Sequence, residues 1–563
     1  MTFPQIVFRP RLLTSFKGYR AKDFFSDLTA GITVGIVALP LAMAFAIASG
    51  LKPEAGIYTA IVAGFLIAGL GGSKVQIGGP AGAYIVIVYR IITEYGVDGL
   101  IVSTILAGIL LFFMGFLKWG SLIRFVPVAI VIGFTNGIAV LIALSQVKDL
   151  LGLGINKLPS DFFPKTAALV AHLNTVNITT MTLSLISLVV VFGWPIIVEK
   201  SRIRLVQYIP GSIIALVGGT AAVSLLHLPV ETIGTQFGGI PSSLPQFTVP
   251  KIDLGIIHNL IQPTITIAIL GAIESLLCAR VADGLIGDRH DPNQELMAQG
   301  IANIAAPMFG GYSATGTIAR TVTNIRMGGK TPIAGIIHAL TLLVIVAVAA
   351  PLAKNVPLAT LGAILLFVAY NMGEWHEFVR LRHFTNNYRI ILLTTFLLTV
   401  VVDLTVAIEV GLGLSFLFFA TRIASLTRLE PVPEVEAQGH ARLGGDIEAY
   451  RLYGSLFFGT VRRLEELTDP ERSTPKIMIL SITNLLNLDT SGIEALENLH
   501  TALRKKSCRL LIAGANGQPL SLLKRAQFIR EVGEENFFEN TAKALDFAAQ
   551  ILDQKVQPLP TSE

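Results

Sequence analysis

Charged residues are scarce in this chain, which excludes an ordinary soluble protein. Asp, Glu, Lys and Arg make up 14% of its 563 residues, whereas soluble globular proteins carry about 25%. The deficit is uneven: roughly a tenth of residues 1–430 are charged, against about a quarter of residues 431–563. We therefore predict a lipid-embedded domain over residues 1–430 and a soluble domain of ordinary composition over residues 433–555.

Cysteine is almost absent, and several functional motifs are missing altogether. Only Cys278 and Cys508 occur, one in each predicted domain. Two such thiols cannot supply a disulfide framework, so a secreted, disulfide-stabilised fold is excluded. The sequence shows no P-loop, metal-ligand cluster or nucleophile elbow. We therefore expect no cofactor, no bound metal and no enzymatic activity, and any uphill transport would have to draw on ion gradients.

An excess of basic residues is present, but it does not indicate a nucleic-acid partner. The formal net charge is +5 and the sequence pI is about 9.1. These basic residues fall on short loops between apolar segments, which is the pattern that sets membrane topology. The N-terminal arm, residues 1–23, is polar and basic. It lacks the apolar core and cleavage site of a signal peptide, so we expect none to be removed.

About fourteen apolar segments are present, eleven of them clear and three weaker. A helix needs about 20 apolar residues to cross a bilayer. The segments start near Leu28, Ile57, Ala81, Leu100, Ala129, Leu183, Gly211, Ile261, Leu296, Ser313, Ile333, Thr360, Ile390 and Leu404. If the N-terminus is cytosolic, every second loop is basic, such as the loops with Lys118 and Arg124 or Arg380 and Arg382. This alternation and the even count predict a multi-pass protein of the cytoplasmic membrane with both termini in the cytosol.

Two of the weaker segments are interrupted by glycine, the first of them also by proline, at matching places. Residues 75–83 (VQIGGPAGA) lie about 50 residues after the start of the first span, and residues 310–317 (GGYSATGT) lie about 50 after that of the eighth. Such a pair indicates inverted repeats around a central binding site, because an interrupted backbone cannot face lipid. Helix N-termini at the interruptions would favour an anion. The alternative is that these glycines only allow close helix packing.

Two ionisable residues fall inside apolar segments. Glu274 lies in the middle of the eighth span, and Arg320 lies near the end of the second interrupted helix. Ionisable residues within a membrane are costly and usually mark a substrate or ion pathway. We therefore interpret Arg320 as an oxyanion ligand and Glu274 as a proton carrier whose charge is disfavoured by burial. The alternative interpretation is a mutual ion pair that neutralises both.

Several motifs, in order along nearly the whole chain, resemble one family. They are DLTAGITVG at residues 27–35, PLAMA at 40–44, GGP at 78–80, GGKT at 328–331 and LDTSG at 488–492. Together they resemble the SulP anion transporters, also called the solute carrier 26 family, which carry a C-terminal STAS domain. The resemblance implies an all-α membrane domain of seven plus seven inverted helices, followed by a cytosolic α/β STAS domain. It also implies a homodimer and an elevator-like motion of a core domain against a gate domain.

The family resemblance also implies a substrate site between spans one and eight and the two interrupted helices. Carried over by position, its residues are Met43, Phe45, Pro80, Ala81, Ala319 and Arg320, with Glu274 for proton coupling. The sodium-coupled bicarbonate branch has Asp, Thr and Gly where this chain has Glu274, Cys278 and Arg320. A thiol is a poor sodium ligand and a nearby cation opposes sodium binding, so sodium–bicarbonate symport is disfavoured.

Residues 271–279, together with Pro307 and Phe309, resemble the bacterial C4-dicarboxylic acid transporters of this family. That similarity implies proton-coupled uptake of succinate-like anions. A sulfate or bicarbonate transporter, or an anion exchanger, of the same family is the alternative. An anion channel is an alternative from a different class, and counterflow would separate the two because only a carrier shows it.

The soluble tail alternates strand-like and helix-like patterns. Residues 477–482 and 509–514 are predicted as buried strands, with a helix starting near Ile493 between them. Ser491 lies just before that helix and is first of all interpreted as an N-cap. In soluble STAS proteins the equivalent serine accepts a phosphate, so phosphorylation of Ser491 is the second hypothesis.

Overall fold

The computed structural model describes residues 8–121, 126–155, 157–200, 209–241, 245–249, 255, 257–432, 446–469 and 473–554. Its contacts divide the chain into two compact units, Met1–Leu412 and Gly413–Glu563, so the division falls within the last long helix. The loop residue Arg124 and the first residues of the predicted soluble domain, 433–445, lie outside the described residues.

The first unit is helical apart from two very short strands. In chain order its elements are α1 (Arg11–Ser15), α2 (Ala21–Ala48), α3 (Pro53–Leu70), β1 (Gly78–Gly79), α4 (Tyr84–Phe116), α5 (Val128–Leu151), α6 (Phe162–Ala171), α7 (Ile178–Lys200), α8 (Gly211–Leu226), α9 (Ile233–Phe237), α10 (Ile257–Ile286), α11 (Pro292–Met308), β2 (Thr315–Gly316), α12 (Ile318–Arg326), α13 (Pro332–Ala349), α14 (Leu358–Met372), α15 (Trp375–Arg380), α16 (Asn386–Val401) and α17 (Leu404–Leu426).

The described helices include candidates for the predicted fourteen spans. Eight helices are long and apolar enough to cross a membrane by themselves, and shorter helices such as α8 and α16 supply others. Helix α4 supplies two spans, because Gly96 interrupts it with φ 72° and ψ −176°. Such backbone angles are essentially restricted to glycine. The third and fourth spans are therefore two helices joined at one residue.

Most of the long helices of the first unit pack into two bundles. Helices α2, α3, α4, α10, α11, α12 and α13 form one, and α5, α7, α8, α14 and α16 form the other. Glycine allows backbones to touch within each bundle: a Cβ at Gly108 of α4 would lie 2.7 Å from the Gly300 oxygen of α11. In the second bundle, a Cβ at Gly133 of α5 would lie 2.8 Å from the Leu392 oxygen of α16. Close approach at small residues is the usual basis of helix association in membranes.

Helix starts in the first bundle are fixed by capping residues followed by proline. The Asp291 carboxylate accepts the N–H groups of residues 293 and 294 at the start of α11. Thr331 caps α13, and Pro332 takes the first helical position, where no N–H is needed. The buried carboxylate of Asp27 in α2 accepts hydrogen bonds from the Lys330 and Thr331 N–H groups and from the Thr331 hydroxyl. These hydrogen bonds join helix α2 to the N-terminal end of α13.

The second unit contains a six-stranded mixed sheet. Its elements after α17 are β3 (Arg428–Pro431), β4 (Ile447–Leu456), α18 (Arg462–Glu465), β5 (Ile477–Ser481), β6 (Leu485–Leu488), α19 (Thr490–Lys505), β7 (Arg509–Ala513), α20 (Gly517–Arg525), α21 (Phe528–Val532), β8 (Phe537–Phe538) and α22 (Thr541–Gln554). The strand order is β3-β4-β5-β7-β8, with β6 also paired to β4. Only β3 runs antiparallel to its neighbour.

Helices cover both faces of this sheet, as expected for buried parallel strands. Met478 and Leu480 of β5 share one apolar cluster with Leu496 and Leu499 of α19. The alternate residues of the same strand, Ile477 and Ile479, share a second cluster with Ala544, Leu545 and Ala548 of α22. The all-α membrane unit and the α/β second unit confirm the predicted fold class.

The interpretation of Ser491 as an N-cap is wrong. Helix α19 begins at Thr490, and its N-cap is Asp489, whose carboxylate accepts the Gly492 N–H at 2.8 Å. Ser491 is the second residue of the helix and is half-buried. The helix starts three residues earlier than predicted, so Asp489 takes the N-cap position and Ser491 lies inside the first turn. Phosphorylation of Ser491 stays a prediction.

Candidate functional site

The two interrupted segments meet each other in the middle of the first bundle. Strand β1 pairs antiparallel with β2, with Gly78 opposite Gly316 and Gly79 opposite Thr315. Each strand leads into a helix, β1 into α4 and β2 into α12. We call this arrangement, residues 78–84 and 315–320, the crossing. Residues 78–84 and 315–317 of the crossing are buried in protein, as an interrupted backbone at membrane depth must be.

One polar face of α12 holds the segment that leads into β1. The Thr317 hydroxyl donates to the Ile77 carbonyl at 2.9 Å, and the Ile77 N–H donates to the Thr321 hydroxyl at 2.9 Å. Asn324 Nδ2 donates to the Val75 carbonyl at 2.8 Å. Thr317 is the N-cap of α12, and the three residues are spaced by four and three positions, so they lie on one side of the helix. The crossing is therefore fixed by side chains as well as by the strand pair.

Arg320 is the only arginine described at the crossing, and its guanidinium is almost completely buried. It lies in the first turn of α12, which corrects the expected position near the end of the interrupted helix. Its side chain is 2% exposed, and Nη2 donates to the Pro80 carbonyl at 2.6 Å. Nη1 is buried and has no hydrogen-bond partner. A buried charged donor without a partner is costly, so this nitrogen is the group at the crossing that an anion would satisfy.

Glycine at position 79 makes room for that guanidinium. A Cβ there would lie 2.6 Å from Arg320 Nη1, and the residue has φ +149°. The neighbouring Gly316 faces Gln76, whose amide nitrogen would lie 1.8 Å from a Cβ. Gln76 is buried, and both polar atoms of its side chain lack hydrogen-bond partners. The crossing thus holds buried polar groups that are not paired within the protein.

Two helix N-termini lie at the crossing, and neither has a side-chain cap. Neither the N-cap residue of α4 nor that of α12 accepts a hydrogen bond from its helix, and neither first turn contains an acidic residue. The Thr317 hydroxyl, which would cap α12, instead donates to the Ile77 carbonyl. Uncapped helix N-termini present N–H donors and partial positive charge. Together with Arg320, they make the crossing electrostatically suited to an anion.

Glu274 faces the crossing from α10 but forms no ion pair with Arg320. Gly271, one turn earlier, accepts a hydrogen bond from the Thr315 hydroxyl at 3.1 Å. Cys278, one turn later, donates to the Thr321 hydroxyl at 3.3 Å. Positions 271, 274 and 278 are spaced by three and four residues, so they share the face of α10 that contacts the crossing. Glu274 itself is half-buried, and the alternative of a neutralising pair with Arg320 is wrong.

The remaining residues predicted for the substrate site are Met43, Phe45, Pro80, Ala81 and Ala319. Pro80 and Ala81 are buried parts of the crossing, and Ala319 is exposed in the first turn of α12. Phe45 lies against the crossing, since its ring carbon Cε1 would be 3.7 Å from a Cβ added at Gly82. Met43 instead borders an apolar cavity between α2 and α8 whose lining includes none of the other predicted residues.

Sequence reasoning missed the neutral polar residues that hold the crossing together. Thr317, Thr321 and Asn324 follow a helical spacing that was visible in the sequence and predicts a polar helix face. Asn303 of α11 binds the other side of the crossing, because its amide nitrogen donates to the Ala314 carbonyl and its oxygen accepts the Ala314 N–H, both at 2.8 Å. An isolated asparagine in an apolar segment carries no comparable signal.

Comparisons with known proteins identify the family. Residues 24–395 match the model of the sulfate permease family, and residues 440–544 match that of the STAS domain. The first match covers more than half of the chain. The chain belongs to the sulfate permease family. It is a multi-pass membrane anion transporter with a C-terminal STAS domain, and the relatives of this family are transporters rather than enzymes.

Two curated relatives match nearly end to end. A putative sulfate transporter of Bacillus subtilis, YvdB, is 39% identical over 93% of this chain and 98% of its own length. The bicarbonate transporter BicA of Picosynechococcus is 27% identical over 93% of this chain and 94% of its own length. These names leave the predicted similarity to C4-dicarboxylate transporters unconfirmed.

Solved structures share the fold. The murine solute carrier 26 member A9, described as an anion transporter in the inward-facing state, aligns with a TM-score of 0.84 at 18% identity. That alignment covers 96% of this chain and 94% of the murine one. The transmembrane domain of a cyanobacterial BicA aligns with a TM-score of 0.62 at 28% identity, over 69% of this chain and 98% of its own. Both support the arrangement of spans described above.

Proposed function

We propose that this protein is a secondary active transporter that binds small divalent anions at the crossing. The observation that carries the proposal is the buried guanidinium of Arg320, whose Nη1 has no partner, beside two uncapped helix N-termini. A buried donor without a partner costs about 1–3 kcal/mol or more when it is charged. An oxyanion at the crossing would remove that cost and gain charge-assisted hydrogen bonds.

The first candidate substrate is a C4-dicarboxylate such as succinate. Its support is the resemblance of residues 271–279, Pro307 and Phe309 to the dicarboxylic acid transporters of the family. Sulfate is the second candidate, because the Bacillus subtilis relative at 39% identity is named a putative sulfate transporter. Both are dianions, and the oxygens of a planar carboxylate or of a tetrahedral sulfate suit the donors of a guanidinium.

We further propose that a proton accompanies the anion and that Glu274 carries it. Glu274 lies on the face of α10 that contacts the crossing, and Arg320 does not neutralise it. When the Glu274 carboxylate binds a proton, the total negative charge that crosses the membrane together with a dianion is smaller. Ionisable groups at such depth in a membrane are the usual elements of proton relays.

An elevator-like movement of one bundle against the other fits the packing. Within each bundle, backbones touch at glycines and the crossing is held by hydrogen bonds. Between the bundles lie cavities of about 290 and 430 Å³. The first bundle would therefore move as one body with the bound anion, and the second would stay in place. We also propose the orientation with both termini in the cytosol, where the STAS domain would act, and a homodimeric assembly.

Uptake by the purified protein in proteoliposomes tests this function. Labelled succinate is supplied with an inward proton gradient, in competition with sulfate, fumarate and bicarbonate. We expect uptake of a divalent anion that depends on the gradient, and we expect Glu274→Gln to abolish the dependence. Glu199→Gln, at the exposed end of α7, is the matched control and should transport normally. Sulfate uptake without succinate uptake would reject the dicarboxylate assignment, and uptake of no anion would reject the function.

A further inference from the structure

A cavity of about 290 Å³ lies between the two bundles at the end where α2 and α5 finish. Ile47 of α2 and Tyr89 of α4 form one wall, and Leu141 and Ser145 of α5 form the other. Helix α6 contributes Lys165, so the cavity lies beside a helix that is not one of the fourteen spans. Ile85 and Val86 also border it, and they lie one turn beyond Gly82 of the crossing. The cavity is therefore adjacent to the crossing without being part of it.

The charged residues that line this cavity, which we call the lysine cavity, are mostly positive. They are Lys148, Lys157, Lys165 and Asp149. Three lysines and one aspartate give the lining of this concave, partly apolar space a net positive formal charge. Concave sites lined by charge of one sign concentrate the opposite ion, because low-dielectric walls focus the field. The ligand that this cavity favours is thus a small anion.

Lys165 is the residue that distinguishes a built site from a solvated basic surface. Its side chain is only 5% exposed, although it lines the cavity. Burial lowers the pKa of Lys165, and the charge of Asp161, the N-cap residue of α6, opposes that shift. No carboxylate among the described residues comes within ion-pairing distance of its ammonium group. Lysines are almost never fully buried unless they are paired.

A purely structural role does not account for this burial. The ammonium nitrogen lies 5.9 Å from the centre of the Tyr89 ring, which is a cation–π contact. Such a contact compensates only part of the hydration that a mostly buried ammonium group loses. The ammonium nitrogen is not itself fully buried, so it remains accessible from the cavity. A counter-ion in the cavity would supply the missing compensation.

We propose that the lysine cavity is a second anion-binding site, in which Lys165 is the main ligand and Lys148 and Lys157 add positive charge. Its ligands are small oxyanions such as sulfate or a carboxylate. The inference rests on the proposed function in one respect: in the proposed orientation the cavity opens to the outer side and collects the anion before it reaches the crossing. Binding at the cavity itself does not depend on transport.

Protection of Lys165 from an amine-reactive acylating reagent tests the site in the purified full chain. Modification is followed by peptide mass spectrometry with and without sulfate or succinate. At an anion concentration of about four times Kd, four fifths of the sites are occupied, so acylation of Lys165 should slow roughly fivefold. Lys52, an exposed lysine at the same end of the bundle, is the internal control and should react at an unchanged rate.

Two variants separate this site from the crossing. In Arg320→Gln, which disables the crossing, protection of Lys165 should persist. In Lys165→Gln, the half-saturating anion concentration for uptake should rise while the maximal rate is kept, and Lys165→Arg should restore it. Unchanged acylation at saturating sulfate and succinate would overturn the second site, as would loss of protection in Arg320→Gln. Protection of Lys165 without any uptake by the wild type would instead reject only the proposed transport function.

Discussion

At the scale of single residues, the crossing depends on a glycine that no other residue can replace without displacing the anion ligand. A Cβ at position 79 would lie 2.6 Å from Arg320 Nη1, and φ +149° disfavours any side chain there. Gly79→Ala should therefore shift the guanidinium and raise the half-saturating anion concentration about tenfold or more, which corresponds to roughly 1.4 kcal/mol. Initial uptake rates over a range of anion concentrations measure this change.

The matched control for that variant is Gly69→Ala. Gly69 lies in α3 of the same bundle, and a Cβ there would meet nothing within 4 Å. Alanine favours a helix more than glycine does by about 1 kcal/mol, so this variant should fold and transport normally. An unchanged anion affinity in Gly79→Ala would contradict the placement of Arg320 against Gly79.

The sequence predicted the charged residues of the site better than the neutral ones. Glu274 and Arg320 stand out because ionisable side chains are rare in apolar segments, and both lie at or beside the crossing. Gln76 lies beside the crossing, but a single neutral polar residue in an apolar segment carries no specific signal. Asn324 was detectable only through its helical spacing from Thr317 and Thr321. Contacts such as Asn324 to Val75 join residues far apart in sequence, so only the fold shows them.

At the scale of elements, the interruption of α4 at Gly96 should determine how the third and fourth spans join. Gly96 has φ 72° and ψ −176°, and a Cβ there would meet nothing within 4 Å. Any effect of Gly96→Ala must then come from backbone strain, which costs about 1–3 kcal/mol. We expect a lower midpoint of thermal unfolding in detergent for Gly96→Ala.

Gly193→Ala in α7 provides the comparison, because a Cβ there also meets open space and the backbone is helical. Its midpoint of unfolding should stay the same or rise. Equal midpoints for the wild type and Gly96→Ala would show that the helix passes residue 96 without a break.

The two interrupted helices were predictable as elements because glycine and proline stop a helix wherever they cluster. Their pairing as β1 and β2 was not, since it joins Gly78 to Gly316 across the two repeats. The start of α19 was placed too late for a similar reason. Asp489, Thr490 and Ser491 are all competent caps by residue type, and only the observed backbone selects Asp489.

At the scale of the whole first unit, the N-terminal arm is tied to the first bundle by a cluster of charges. Asp288, between α10 and α11, accepts hydrogen bonds from Lys74 at 2.7 Å and from Arg11 at 3.0 Å. Partial burial would raise the pKa of Asp288, but the hydrogen bonds from Lys74, the Arg289 backbone and Arg11 outweigh it and lower the pKa to about 2. The charged form of Asp288 therefore stabilises the folded unit.

Replacement of this carboxylate should have a pH-dependent cost. Asp288→Asn should lower the stability by about 0.5–1 kcal/mol, since the group is partly solvated. Because the folded pKa is depressed, the cost should be complete above about pH 5 and fade as the pH falls from about 4 towards 2. Thermal unfolding midpoints at several pH values measure it, with Asp98→Asn, an exposed aspartate, as the control. A cost that persists at the lowest pH would contradict the charge-based explanation.

At the same scale, charge density predicts a membrane part followed by a soluble part, and the described residues divide into two compact units, at residue 412 rather than 430. The alternation of spans that the basic loops indicate stays a prediction. The sorting of spans into two bundles was not derivable from composition, because spans of either bundle are equally apolar. It entered the prediction through the resemblance to a family. In the structure its physical basis is visible as close glycine contacts, such as Gly108 with Gly300 and Gly133 with Leu392.

The central claim, that an anion binds Arg320 at the crossing during transport, is tested most directly by comparing Arg320→Gln with Arg326→Gln. Both arginines belong to α12, but Arg326 is exposed at its far end. In proteoliposomes, the initial rate of anion uptake at low concentration should fall about ten- to hundredfold in Arg320→Gln, the loss expected for a hydrogen bond to a charged group. Uptake by Arg326→Gln should match the wild type. If both variants transported at the wild-type rate, the crossing would not be the anion site.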